Sequence, residues 1–374
     1  MIGAENPGAT IRPWAIGFAS WDRMSSLSRS PLMELQVAQS ETTVDPRALQ
    51  RSLAVYREPR LARSVFELVI TVVPFILFWF LTWLSVSAGF WLGLLLAVPA
   101  AGFLVRLFMI QHDCGHGSFF PSRRANDWVG RALGVLTLTA YDFWRYTHAR
   151  HHAHSGNLDR AGVGSVDILS VRAYQALPRL QRRRYRLYRH PLILFGLGPI
   201  YLFMLHNRVP VGFMRAGWMP WLSTMGTNVA IVLVAMVMIS LVGAGTFLLV
   251  HLPIAILAAA IGVWLFYVQH QFDTTRWAHS DEWTFHEMAL YGSSYYDLPA
   301  VLRWLTANIG VHHVHHLASR IPSYRLSEVL NDHPWLREVS RVTFWQSLQC
   351  TRLALWDEKR RRLVPFGSHE EIPR

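Results

Sequence analysis

The chain has 374 residues, a formal charge of +12, 52% apolar residues and only 16% charged ones. A soluble domain usually carries about a quarter charged residues, so this balance excludes an ordinary soluble enzyme. Two cysteines, Cys114 and Cys350, with no CxxC, exclude a disulfide-framed secreted module and fit a reducing compartment.

In chain order, residues 1–60 read as an N-terminal cytoplasmic tail. Residues 1–45 are polar, with Gly, Ser and Pro, and read as loosely ordered. No compact signal-peptide pattern is seen in this stretch. From Leu68 to Ile110 the one charge is Arg106, and from Ala216 to Phe272 there is no Asp, Glu, Lys or Arg. A bilayer crossing needs about 20 mostly apolar residues. The first block therefore holds two crossings, about 66–86 and 89–110, turning near Ser85–Gly89. The second holds two more, about 219–242 and 246–268, turning near Gly243–Gly245. Buried soluble helices are the competing reading, and apolar blocks of this length speak against it. Trp128–Trp144 and Pro191–Leu205 are shorter and interrupted, and read as interfacial or re-entrant helices. A cytoplasmic helical cap is then expected over 111–218 and 269–360, inside a membrane domain spanning 61–360, with a C-terminal tail over 361–374.

Three histidine clusters flank these crossings. They are His112-Asp113-Cys114-Gly115-His116, His148-Ala149-Arg150-His151-His152 and His312-His313-Val314-His315-His316. Residues three and four apart share a helix face, so each cluster is expected to aim two or three imidazoles at one spot. Neutral imidazole is a common ligand for iron, copper and zinc. Eight such ligands, His112, His116, His148, His151, His152, His312, His315 and His316, exceed the needs of one ion and suggest two. A lone HxxxH pair would read as ordinary polar residues; three clusters beside membrane segments reverse that. No HExxH or cysteine pair supports a soluble zinc site. His154 and His313 fall off the shared faces. His270 ends the last crossing at the level of the first cluster, where it is either a ninth ligand or a hydrogen-bonded interfacial histidine. His286, His279, His251 and His206 are weaker candidates, and His251 is expected near the outer leaflet. Asp113 is placed to orient a ligand imidazole from behind.

One shared site requires an even number of crossings between clusters, which the two proposed pairs satisfy. The cationic excess is almost wholly arginine, Lys359 being the sole lysine, and both outer turns carry no charge. The positive-inside rule then puts both termini and all three clusters in the cytoplasm. Because the excess sits beside membrane segments, it suits anionic headgroups or an acidic redox partner, and no nucleic-acid interface is read from it. The location argues for iron: aliphatic C–H bonds of a lipid-borne substrate yield to activated dioxygen, not to hydrolytic metals.

Taken with their flanking residues (the first continues Gly117-Ser118-Phe119-Phe120), the clusters resemble the three histidine boxes of membrane fatty acid desaturases. Gly196-Leu197-Gly198-Pro199-Ile200-Tyr201, Phe266-Tyr267-Val268-Gln269-His270, Gly292-Ser293-Ser294-Tyr295-Tyr296, Asn308-Ile309-Gly310 through His316-Leu317 and Arg320-Ile321-Pro322-Ser323-Tyr324 resemble the bacterial acyl-lipid branch. The resemblance covers about 60 to 360. It implies an all-α integral membrane fold of four transmembrane helices under a cytoplasmic helical cap, in the inner membrane of a bacterium. It implies two non-haem iron ions held by the eight box histidines, with His270 matching an extra histidine from the fourth helix, and Asp113 and Asn308 supporting the ligands. It also implies O2 as co-substrate, a fatty acyl lipid as substrate and a cis double bond as product. No His-Pro-Gly-Gly haem motif is present, so electrons are expected from a separate carrier such as ferredoxin or flavodoxin. The rival readings are a related di-iron hydroxylase, carotenoid oxygenase or acetylenase and, outside enzymes, a membrane metal-binding or transport protein. A transporter would bury its ligands near the bilayer midplane, whereas these clusters lie outside the crossings.

Overall fold

The computed structural model describes residues 45–160 and 166–367; the expectation for residues 1–44 lies outside them. Among the described residues four helical segments are long and apolar enough to cross a membrane: Leu61–Ser87, Trp91–His116, Trp218–Val242 and Ala244–His270. Of the helices we label ten that bear on the site: α1 (Pro46–Ser52), α2 (Leu61–Ser87), α3 (Ala97–His116), α4 (Arg123–Leu136), α5 (Tyr141–His154), α6 (Arg179–Tyr188), α7 (Trp218–Val242), α8 (Ala244–His270), α9 (Phe285–Tyr291) and α10 (His312–Leu317). The spans run longer than the hydropathy blocks, because helix geometry continues into the polar residues at their ends. Thus α3 does not stop at Ile110; it carries the whole first cluster in its last turns and ends at Gly117, whose φ of 66° is the left-handed cap that glycine adopts without strain.

These helices need lipid. Along α7, Leu222, Val229, Leu233, Val237 and Leu241 are all exposed, Leu241 by 71%. An apolar face of that length would aggregate in water. The one charge inside the first block is partnered: the Arg106 guanidinium donates to the Glu67 carboxylate on α2, to Thr71 Oγ1 at 3.0 Å and to the Trp304 carbonyl. Glu67, 3% exposed, was the last residue outside that block.

Trp128–Trp144 is two helices, not one. The chain breaks between α4 and α5 because the Thr139 N–H turns back to the Gly134 carbonyl at 2.8 Å and Leu138 takes φ 55°. A Cβ on Gly134 would lie 2.5 Å from the Thr139 carbonyl oxygen, so the break requires glycine there. Over 193–205 the helix is widened into π-type turns on either side of Gly198–Ile200. Pro199 has no N–H to give the ladder. Leu192, Leu197, Tyr201 and Leu205 are exposed along this segment, as an interfacial helix requires.

Among the described residues two small sheets lie in the cap. β1 (Leu169–Ser170), β4 (Leu355–Asp357) and β5 (Arg362–Val364) form one, with β4 pairing parallel to β1 and antiparallel to β5. β2 (Tyr295–Asp297) and β3 (Arg341–Thr343) pair in parallel. The expected tails are partly structured. Leu49, Leu53 and Tyr56 pack with Val314 and Leu317 of α10, and β5 lies inside the stretch read as C-terminal tail.

Candidate metal centre

The C-terminal ends of α3 and α8 meet α5 and α10 at the junction between spans and cap. There the structure brings together all nine histidines of interest in two groups: His112, His116, His148, His152 and His315, and His151, His270, His312 and His316. Two imidazoles from each cluster meet at one spot, as expected, but the third histidine of the second and third clusters goes elsewhere. On α5, His148 and His152 serve the first group and His151 the second; on α10, His315 serves the first and His312 and His316 the second. One helical turn returns a side chain to the same face, so residues four apart share a group and the neighbour one step off meets the other. The two groups touch where the His152 and His316 rings stack at 4.1 Å.

Within each group the Nε2 atoms converge. His148 lies 3.0 Å from His116 and 3.1 Å from His152, and His152 lies 3.1 Å from His315. In the second group His151–His270, His270–His312 and His312–His316 are each 3.1 Å. Nitrogens about 2.1 Å from one ion lie roughly 3.0 Å apart at right angles and roughly 3.4 Å apart at tetrahedral angles. The observed 3.0–3.1 Å contacts are of the size that nitrogens sharing one ion would have. Imidazoles facing nitrogen to nitrogen repel unless a cation or a shared proton sits between them. Protons are disfavoured here: burial first, and neighbouring imidazoles second, hold His148, His152, His312, His315 and His316 well below the ordinary 6.5. His151 is depressed for the same reasons. The buried Nε2 of His112 has no hydrogen-bond partner. Neutral, convergent imidazoles are a fit donor set for two transition-metal ions.

The surroundings orient the rings. The Asp113 carboxylate lies 3.4 Å from His112 Nδ1 and accepts the Ser323 N–H at 2.7 Å. Asn308, at φ 57°, donates Nδ2 to the Ser323 carbonyl at 3.1 Å. It therefore braces the loop that Asp113 holds, and no hydrogen bond joins it to a ligand histidine. His270 Nδ1 lies 3.4 Å from the Gly292 carbonyl and from Ser155 Oγ. The Ser294 carbonyl accepts both His312 N–H and His313 N–H and so seats the start of α10. Trp144 was missed by sequence reasoning: its ring stacks on His148 at 4.6 Å and 13°. A Cβ on Gly115 would come within 2.7 Å of that indole, which explains the glycine inside the first cluster. The signal in the sequence was Trp144 itself, four residues before His148 and so on the same helix face.

The other histidines stand apart from both groups. His313 Nε2 is 2.9 Å from the Leu336 carbonyl, and burial takes its pKa down to about 4. His286 Nε2 lies 3.3 Å from Gln50 Oε1. His279 pairs with Asp159 at 2.7 Å, and His251 stacks on Phe247 within α8. His154 lines a small cavity with His151, Ser155, His270, Gln271 and Trp277.

Four membrane-length helices among the described residues, two of them ending in two all-histidine groups, define a membrane-bound metalloenzyme of the histidine-box type. The fatty acid desaturase family model matches residues 89–347, and the chain belongs to that family; it is an oxidoreductase that desaturates fatty acyl chains. It is 42% identical over 325 residues to a fatty acid desaturase of Bacillus subtilis, covering 87% of this chain and 92% of that one. It is also similar to two Synechocystis enzymes. The sn-1 oleoyl-lipid 12-desaturase is 28% identical over 66% of this chain and 70% of its own length. The ferredoxin-linked sn-1 acyl-lipid omega-3 desaturase is 31% identical over 59% and 61%.

Proposed function

We propose that this desaturase introduces a cis double bond into an acyl chain of a membrane lipid at a pair of non-haem irons. In this reading His112, His116, His148, His152 and His315 hold one ion and His151, His270, His312 and His316 the other. The observation that carries it is the pair of buried imidazole groups with Nε2 separations of 3.0–3.1 Å at the foot of the membrane spans. When bound, such a metal pair supplies the activated dioxygen that removal of two hydrogens from adjacent methylenes demands. The protein's own residues set the conditions. Asp113 and the Ser323 loop fix the His112 ring, Trp144 backs His148, and burial keeps the imidazoles of α5 and α10 neutral and ready to ligate. The acyl-lipid relatives support a lipid-linked substrate, and the ferredoxin-linked one supports an external one-electron carrier. The arginine bias supports an orientation in which the termini and the site face the cytoplasm of a bacterial inner membrane.

The test is expression of the full chain in a host that lacks polyunsaturated lipids, followed by mass spectrometry of the acyl chains. Desaturation appears as loss of two hydrogens with a mappable new double bond. A product that has gained one oxygen instead would assign the chain to the hydroxylases, and zinc with no turnover would refute the enzyme reading.

A further inference from the structure

One exposed cationic turn of the cap is Lys359-Arg360-Arg361-Arg362 between β4 and β5, which follows Asp357 and Glu358 and leaves Lys359 and Arg362 pointing to solvent. It is fixed to cap loops rather than to the spans. Arg361 pairs with Glu282 at 3.1 Å, and Glu358 lies 3.9 Å from His279, itself bound to Asp159. Directly beneath, on β4, is Trp356, 3% exposed, in one buried cluster with Trp277, Ile168 and Leu363. Trp277 in turn lines the small cavity that His151 and His270 also line. Its indole N–H is buried with no hydrogen-bond partner. Burying an unpaired donor is unfavourable, so packing alone does not account for an indole rather than a phenyl ring at this position.

We propose that the Lys359–Arg362 hairpin is the docking face for an acidic one-electron carrier protein, and that Trp356 and Trp277 bridge it to the His151–His270 side of the metal pair. This rests on the desaturase reading above. Electron tunnelling weakens exponentially with distance, so a carrier must seat where packed, aromatic protein lies between it and the metals. The hairpin meets that condition: cations outside, two buried indoles in succession, then the four-histidine group. Each transfer oxidises the carrier by one electron and reduces the metal pair by one. Two transfers and two protons from solvent, with the two hydrogens taken from the acyl chain, complete the reduction of dioxygen to two waters. Anionic lipid is the competing occupant of a basic surface. The hairpin's anchors, on loops 157–159 and 277–282 beyond the end of α8, favour a protein.

The test uses the full chain in detergent and an acidic [2Fe–2S] ferredoxin as probe. Lys359→Glu with Arg362→Glu leaves the Arg361–Glu282 pair in place. It should weaken ferredoxin binding about tenfold or more at low salt and flatten the salt dependence. Trp277→Leu should leave that affinity in place yet slow oxidation of bound, reduced ferredoxin, and Trp277→Phe should restore part of the rate. Unchanged affinity in the charge-reversed variant would overturn the docking face, as would loss of binding to phosphatidylglycerol vesicles alone. A wild-type rate in Trp277→Leu would overturn the route. Failure of the desaturase reading shows separately, as wild-type protein that forms no double bond with ferredoxin or with a chemical reductant.

Discussion

The two histidine groups are built from the same residue type at the same spacing, yet their settings differ. The five-histidine group takes two ligands from α3, is closed on one side by the Trp144 indole and leaves His116, His148 and His152 half-buried. The four-histidine group takes His270 from α8, is buried at every ligand, and borders the cavity beside Trp277. Each of the two spans that bring ligands, α3 and α8, also carries or meets a buried arginine. Arg106 in α3 has a carboxylate partner, Glu67. Arg189, beside the end of α8, instead donates to Gln271 Oε1 at 2.9 Å, to Tyr267 Oη at 3.1 Å and to the Leu353 and Asp167 carbonyls. The difference teaches that one group has a ligand to spare and a carboxylate-paired arginine in its span, while the other has neither.

The largest expected effect follows from ligand number. His270→Ala leaves three ligands in the second group and should abolish turnover, with iron falling from about two to about one per chain by elemental analysis. His148→Ala leaves four in the first group and should retain more metal; equal loss in both variants would erase the distinction. Next is the paired charge. Glu67→Ala strands Arg106 in a buried site and should cost about 3–5 kcal/mol of stability, read as a lowered unfolding midpoint in detergent. A change near zero would mean that Arg106 finds water or a headgroup. Asp113→Asn keeps the size of the side chain but weakens its hold on His112. It should lower metal affinity or activity about 10–100-fold, through the five-histidine group alone, which site-resolved spectroscopy of the iron pair can check.

The smallest and most graded effect is that of pH. His148, His151, His152, His312, His313, His315 and His316 have folded-state pKa values below 6.5, so the unfolded chain binds more protons in the interval between. Their contribution to stability is therefore complete above about 6.5 and declines as pH falls through the interval, for His313 down to about 4. Metal loss should follow the same direction, since protonated imidazole cannot ligate. Unfolding and iron content followed from neutral pH downward check this; stability that rises on acidification would contradict it. His279 runs the opposite way: its hydrogen bond to Asp159 raises its pKa. As an exposed pair it contributes little.

The histidine clusters, the two charge-free blocks and the arginine bias were legible because each is a local pattern: identity, spacing or an uninterrupted apolar run. They were enough to predict four spans and to nominate the nine histidines that the structure gathers. The break between α4 and α5 was not legible, because it depends on a backbone hydrogen bond to Gly134 and on a Leu138 conformation that propensity disfavours. Glu67 as the partner of Arg106 and Trp144 as the wall behind His148 were equally hidden, since each pairs residues by packing rather than by pattern.

What the sequence by itself determined is the inventory: which residues enter lipid, which can ligate, and that there are more imidazoles than one ion uses. What only the tertiary structure decided is the partition. His151 and His152 are neighbours in the chain, yet they face different groups, because α5 runs between the two and successive side chains on a helix point about 100° apart. Helix periodicity shows which residues share a face. Only the packing of α3, α8 and α10 around that helix determines what each face meets.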